Sequence, residues 1–262
     1  MSFDPLMIGR TGLEAQQVQA AATANNLANA GTTGFKATKP IFKELMYQKI
    51  RQPGGENNSD SELPSGLMLG TGVRVAGTAK DFKAGSPIRT DNPLDLYING
   101  KGFFRVLLHD GSIAYTRDGQ LQTDSNGNLV DSEGRQLQPN ITIPAGARSI
   151  TIGRDGTVSV MTTGATSETT VGTIQLADFM NPAGLEPIGD NLYLETAASG
   201  SPNVGNPAQN GIGQIEQLSL EGSNVNVVKE LVNLIEGQRQ YEMNAKGIET
   251  FNEMLKYATQ IG

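Results

Sequence analysis

Few residues in this chain could do chemistry, and their spacing suits little of it. The single histidine, His109, stands beside Asp110-Gly111. An Asp-Gly pair marks a tight turn, so His109 reads as a surface loop residue and not as a general base. Cysteine is absent, which excludes disulfides, thiolate metal sites and a cysteine nucleophile. One histidine cannot make a histidine-rich zinc or iron site within one chain. The nearest approach to a metal loop is Gln122 to Glu133. Asp124, Asn126, Gly127, Leu129 and Glu133 fill positions 3, 5, 6, 8 and 12 of a calcium-binding helix–loop–helix. Gln122 stands where the first ligand should be, and strand-like segments flank the loop, so a hairpin turn accounts for the same residues. Gly70-Thr71-Gly72 has Val75 where a dinucleotide fingerprint needs a third glycine, and Gly100-Lys101-Gly102 has Arg105 there. Carboxylates are abundant enough to assemble a glycosidase pair, but most sit in or beside turn pairs, where Asp serves turn chemistry. The matches to a glycosylation sequon at Asn57-Asn58-Ser59 and Asn140-Ile141-Thr142 carry little weight without a secretory signal. No cofactor, metal or catalytic residue is therefore expected.

The elements that would have to position such groups have an uneven charge. Of 262 residues, 20 are Lys or Arg and 27 Asp or Glu, a net charge of −7. Residues 1–52 are net +3, residues 53–222 net −9 and residues 223–262 net −1. The acidic balance argues against nonspecific nucleic-acid binding. Lys36, Lys39, Lys43, Lys49 and Arg51 form a basic cluster with only Phe35, Phe42 and Tyr47 nearby. It is read as a solvated face, or as a partner for the acidic middle of a neighbouring copy. Glycine, 32 residues or about 12% against a usual ~7%, points to many turns in a folded chain. No run approaches 18 apolar residues, so no membrane span is expected, and the N-terminus does not read as a signal peptide.

The two ends read as helices. Asp4 can cap the first, Pro5 suits its first position and Gly31 supplies a stop. Leu6, Leu13, Ala20 and Leu27 recur every seven residues, but the companion positions (Gly9, Gln16, Thr23) are poor, so this helix alone is marginal in water. The second helix follows Asn226 as cap. Val227, Leu231, Leu234, Gln238, Tyr241, Ala245, Ile248, Asn252 and Leu255 trace an a/d heptad over four repeats. Gln238 and Asn252 weaken that seam but fix its register. Gly237 and Gly247 each cost roughly 1 kcal/mol against Ala in a helix interior. A helix with an apolar seam must bury it. The natural partner is the N-terminal helix, of the same chain or of neighbours, as a coiled-coil-like stalk.

The middle reads as β. Asp110-Gly111, Asp118-Gly119, Asn126-Gly127, Glu133-Gly134 and Asp155-Gly156 are expected to turn hairpins. Strand candidates are residues 103–108, 113–117, 120–123, 128–131, 135–138, 141–143, 150–152, 158–161 and 173–176. The fold class is α+β: long terminal helices and a central antiparallel meander or barrel-like domain. The expected organisation is an N-terminal polymerisation helix at 1–35, an extended arm with connecting strands at 36–94, a β-rich outer domain at 95–200, a connector at 201–222 and a C-terminal polymerisation helix at 223–262. Residues 52–66 within the arm read as a flexible or extended excursion, and 197–213 as a Gly/Asn/Pro-rich connector.

Three motifs in order resemble the signatures of the flagellar rod and hook axial proteins. Ala24-Asn25-Asn26-Leu27-Ala28-Asn29, then Thr33-Gly34-Phe35-Lys36, is similar to the N-terminal signature. Gly100-Lys101-Gly102-Phe103-Phe104, then Tyr115-Thr116-Arg117-Asp118-Gly119, is similar to that of the β domain. Ser223-Asn224-Val225-Asn226, then Gln238-Arg239 and Tyr241, is similar to the C-terminal one. Residues 47–54, 63–67 and 70–73 resemble the distal-rod branch. The resemblance implies a non-enzymatic subunit that polymerises into the rigid hollow distal rod, a drive shaft that spans the periplasm and transmits torque to the hook. It further implies export from the cytoplasm by the flagellar export apparatus without a cleaved signal. The implied partners are copies of itself in a helical polymer, proximal rod and hook subunits, and ring proteins in peptidoglycan and outer membrane, with no nucleic acid and no membrane insertion. Other readings are another axial subunit (proximal rod or hook-like), a secreted β-rich module for calcium or glycan, and a cell-wall hydrolase.

Overall fold

The structure is a computed structural model that describes residues 5–52, 56–58, 61–62, 65–164 and 167–261. The fold class is α+β. The chain divides into two compact units: residues 1–28, 38–79 and 226–262 form one, residues 29–37 and 80–225 the other.

The first unit carries both long helices. Helix α1 spans Pro5–Ala28. Asp4, the expected cap, lies outside the described residues. The helix stops three residues before Gly31. Thr32 donates to Asn29 twice, N–H to the backbone carbonyl (3.2 Å) and Oγ1 to Oδ1 (3.2 Å), and closes a turn that competes with the helix. Helix α2 spans Val227–Ile261. Its cap is the expected one: Asn226 Oδ1 accepts the Lys229 N–H at 3.0 Å. Glu230, in the first turn, places negative charge at the positive helix end. The strands Thr38–Glu44 and Val73–Lys80 form a ribbon. Gln48–Arg51 pairs antiparallel with Leu67–Leu69, so a hairpin stem brackets the glycine- and serine-rich excursion.

The second unit is built of open antiparallel sheets. A four-stranded sheet runs in the order Glu186–Gly189, Leu192–Leu194, Ile113–Thr116, Phe104–Leu107. A three-stranded sheet joins Ala147–Ile152, Thr157–Thr162 and Thr169–Thr173. Two-stranded pairs add Leu96–Asn99 with Gln214–Gln217 and Pro87–Arg89 with Ser219–Glu221. Alternation decides what is buried: Phe104 and Val106 point inward, as do Val158 and Val160, and Leu96 and Ile98 join them in one core. A second cluster of Phe103, Tyr115, Phe179 and Tyr193 packs edge to face, with ring centroids 4.8 Å apart for Tyr115 and Phe179.

Several expected strands come out differently. Asp110-Gly111, Asn126-Gly127 and Asp155-Gly156 turn hairpins, but Asp118-Gly119 does not. Gly119 is where the chain passes against Leu96: its carbonyl accepts the Leu96 N–H at 3.0 Å, and a Cβ there would collide with the Leu96 carbonyl. Residues 135–138 and 141–143 make isolated bridges instead of strands. The segment 173–176 splits, its two ends belonging to different sheets. In the expected connector, Asn203–Gly205 pairs with Leu176–Asp178.

Tyr115 gives this unit a marker in alkali. Its hydroxyl donates to Glu195 Oε2 at 3.3 Å. Burial first, and then the Glu195 carboxylate, pushes the phenol up to about 12 from an ordinary 10.0. A raised phenol favours the folded state in full below the unfolded value and loses that increment as pH rises toward the folded one. Between pH 10 and about 12, unfolding free energy should therefore fall. Tyr115→Phe should make this fall shallower and remove one of the late components of tyrosinate absorbance, since burial raises Tyr193 and Tyr97 as well. An unchanged slope and titration would count against the assignment.

Candidate functional sites: the helix pair and a buried carboxylate

In the first unit the two helices pack antiparallel. Gly9 faces Ile248, and a Cβ on Gly9 would sit 2.6 Å from Ile248 Cγ1. Gly12 faces Asn244, and Gln16 Nε2 donates to Gln240 Oε1 at 2.7 Å. The close approach thus uses Gly9 and Gln16, the small and polar companions of the expected α1 seam. Leu6, Leu13, Ala20 and Leu27 are all partly exposed. On α2, Leu234, Ala245 and Ile248 are half-buried, while Val227, Leu231, Gln238, Tyr241, Asn252 and Leu255 are exposed. Among the described helix residues the buried ones are Ala15, Thr23 and Asn26 on α1 and Glu230 on α2. A groove of about 340 Å³ runs beside the crossing, lined by Gln16, Gln17, Ala20, Gly237, Gln238 and Tyr241 among others. Arg239 lies on the exposed surface of α2.

Asn26 has a defined task. Its Nδ2 donates to the Thr38 carbonyl at 2.9 Å, and its Oδ1 accepts the Thr38 N–H at 2.8 Å. The buried amide thereby serves the first residue of a strand as another strand would. Asn25 sits beside it, exposed, in the last turn of α1.

In the second unit the three family-like motifs meet around one carboxylate. Glu221 is 1% exposed. Its Oε1 accepts Lys36 Nζ at 2.6 Å and the Gly85 N–H at 2.8 Å, and its Oε2 accepts Arg117 at 3.3 Å. Its backbone carbonyl accepts the Gly34 N–H at 2.7 Å. Lys36 also donates to the Lys83 carbonyl (2.8 Å), and Arg117 to the Gly100 carbonyl (2.7 Å). The Arg117 guanidinium lies 5.3 Å from the Phe103 ring centre. Gly34 has φ +68, and a Cβ there would lie 2.7 Å from the Asp118 nitrogen, so only glycine fits. Phe35 is buried beneath Lys80 Nζ, 4.9 Å from its ring centre. Gly102 is buried beside Phe103. Asn224 closes the cluster: Oδ1 accepts the Ala37 N–H at 2.8 Å, and Nδ2 donates to the Asp81 carbonyl at 2.6 Å.

Lys36 is therefore no member of a solvated basic face. It is fully buried, and burial pushes its ammonium below the usual lysine range against the opposing pull of Glu221. Burial depresses the Arg117 guanidinium as well, again opposed by Glu221. Glu221 itself was not among the expected site residues. A lone acid before Gly222 looks like a turn residue, and only its distant partners mark it otherwise. The cluster offers no nucleophile–base pair. It ties chain segments 34–37, 83–85, 98–103, 117–118 and 221–224 to one another.

Removing one partner from a buried ion cluster costs about 3–5 kcal/mol, because the remaining charge is stranded. Lys36→Met is expected to destabilise the β unit by roughly that amount in denaturant unfolding. Glu221→Gln should cost more, since it strands two cations. A loss below about 1 kcal/mol for both would show that the cluster is not holding these segments.

Comparison with known proteins agrees with the three motifs. Residues 6–36 match the family described as flagella basal body rod protein, residues 97–160 the flagellar hook protein FlgE/F/G D1 domain, and residues 216–261 the flagellar basal body rod FlgEFG protein C-terminal. The chain is 49% identical to the flagellar basal-body rod protein FlgG of Buchnera aphidicola from Schizaphis graminum, over 98% of each chain. It is 44% identical to that of Caulobacter vibrioides over 98% of each, and 36% identical to that of Bacillus subtilis over 96% of each. A buried ion cluster assembled from the three signatures and relatives matched almost end to end place it in one family: the chain belongs to the flagellar basal-body rod proteins.

Proposed function

We propose that the exposed seam of α2 is the surface through which this chain polymerises, and that ordering of the terminal helices is coupled to that assembly. The chain is a structural subunit of the distal rod of the flagellar basal body. The observation that carries the seam is a 35-residue helix with a heptad apolar pattern and, among its described residues, one that is buried. Val227, Leu231, Tyr241 and Leu255 are each between 41% and 52% exposed. Completing their burial would contribute about 1 kcal/mol apiece before ordering entropy is subtracted. Any single contact is then weak, and a helical array that repeats it on every copy supplies what one molecule lacks. Contacts between unlike patches need not close, which yields a filament and not a ring.

In this reading residues 1–35 and 223–262 form a coiled-coil-like polymerisation core, with Leu6, Leu13, Ala20 and Leu27 facing α2 of the same or a neighbouring copy. Residues 95–200 form an outer β layer whose acidity keeps it solvated, residues 201–222 connect it to the core, and the role is mechanical, without catalysis. Along the chain, Lys36 follows the end of α1 and Glu221 precedes the start of α2. Partners would be further copies, proximal rod and hook subunits, and the rings around the shaft, reached through the flagellar export apparatus without a cleaved signal.

Leu231→Asp should abolish polymers in sedimentation and microscopy while leaving the β unit's melting unchanged, because it places a charge in the seam. Circular dichroism of the dilute chain should show less helix than the 24 and 35 residues of α1 and α2, rising as polymer forms. Normal rods from the variant, or full helicity in dilute monomer, would overturn the coupling. The arm is tested separately: deleting residues 52–66 should spare folding and alter the bending stiffness of assemblies. Equal stiffness would remove the arm from the reading.

A further inference from the structure

A groove of about 650 Å³ lies in the second unit between Arg89 and Arg154, along the strand pair that ends in Glu221. Arg89 ends the strand Pro87–Arg89, opposite Ser219. Arg154 lies in the turn after Ala147–Ile152, where its carbonyl accepts the Ile215 N–H at 3.2 Å. Ile152 and Ile215, both buried, also line the groove. Gln217 and Glu216 there are already engaged. Gln217 Nε2 donates to the carbonyls of Pro93 (2.7 Å) and Ile150 (2.9 Å), and its Oε1 accepts the Ile152 N–H at 3.2 Å. Glu216 Oε1 accepts from Asn99 at 2.8 Å. The two guanidiniums are exposed, and among the described residues neither has an ion-pair partner. Two arginines against one glutamate make a local positive site within residues 53–222, whose net charge is −9. The guanidinium fork favours a carboxylate.

We propose that this groove receives a carboxylate from the β unit of a second copy, and that the carboxylate is Glu133. The inference rests on the rod-subunit reading, in which like units are repeated side by side. Among exposed turn carboxylates, Asp110, Asp124 and Asp155 spend their acceptors within their own turns, on Ser112, on Ser125 and Asn126, and on Thr157. Asp131 is engaged by Arg135 at 2.7 Å. Glu133 stands at the exposed tip of that same turn, which the Gly134 N–H to Asp131 carbonyl bond fixes at 3.1 Å. Its own carboxylate has no partner among the described residues. A fixed, projecting, unpaired acid and a groove walled by two unpaired arginines are complementary, and they lie on different patches of one chain. Their contact is heterologous and propagates along an array.

The test is polymerisation of the full chain, read as critical concentration by sedimentation over a range of salt. Arg89→Glu with Arg154→Glu should raise the critical concentration about tenfold at low salt and flatten its salt dependence. Adding Glu133→Arg should restore most of the loss. Arg89→Gln with Arg154→Gln, which adds no negative charge, should show a smaller rise in the same direction, so the groove is tested even where the reversed pair perturbs folding. Asp91→Arg and Glu186→Arg, two other exposed acids, are the controls. Polymerisation of the reversed pair at the wild-type concentration overturns the groove. Absence of rescue by Glu133→Arg, or equal rescue by a control, overturns Glu133 as its occupant. Failure of the wild-type chain to polymerise at any salt overturns the rod-subunit reading itself.

Discussion

A carboxylate cannot leave water without cations and donors to replace it, and Glu221 has left water almost completely. Everything it recruits comes from far along the chain: Lys36 from the N-terminal turn, Gly85 from the segment after the first ribbon, Arg117 from the β sheet. Each partner brings a constraint of its own. Lys36 can reach Glu221 because Gly34 takes a left-handed conformation against the Asp118 backbone. Arg117 is fixed by two carbonyls, Ile98 and Gly100, and by the face of Phe103. Thus one ion cluster fixes, by side chains, segments far apart in sequence that backbone bonds to residues 219–222 also bring together. Such clusters contribute less to net stability than a well-packed apolar substitute of the same shape. Their effect is directional. An apolar core tolerates slippage; a carboxylate shared by an ammonium, a guanidinium and an amide does not.

That distinction suits a part whose task is mechanical. Asn26 and Asn224 extend the same strategy with neutral groups. Each amide satisfies backbone donors and acceptors that would otherwise be left at the start or end of an element: Thr38 in one case, Ala37 and Asp81 in the other. Asparagine suits this because one planar amide offers an acceptor and donors at the spacing of a peptide group. Lys36, Arg117, Asn26 and Asn224, all within the signature motifs, are therefore joints.

Much of this was legible in the sequence where the signal is local. Asn226 caps α2 because the geometry of a cap lies within four residues. Asp155-Gly156 turns its hairpin for the same reason. Asp118-Gly119 carries the same two-letter signal and does something else, since the collision that demands glycine there is with Leu96, far away in sequence. Lys36 is set by distance in the same way. Its neighbours Lys39, Lys43 and Lys49 suggest a solvated stripe, and nothing nearby announces a partner at residue 221. The α2 heptad was correctly periodic, yet the row that meets α1 runs through Gln240, Asn244 and Ile248, largely beside the a/d seam. Periodicity tells that a face exists; it does not tell which neighbour takes which part of it.

The division of α2 into two rows bears on how a filament subunit avoids self-satisfaction. If the heptad seam were wholly consumed by α1 of the same chain, few apolar side chains would remain for other copies. The contact instead uses glycine and glutamine, Gly9 and Gln16 against Ile248 and Gln240, which bring the backbones close while burying little area. Val227, Leu231, Tyr241 and Leu255 are thereby left exposed. A weak, polar, register-setting contact within the chain and an apolar surface left over suit a subunit whose helices gain their order from association and yet meet in one register. A side chain at Gly9 would work against both ends at once, displacing Ile248 from the helix contact and disturbing the exposed surface proposed to meet the next copy.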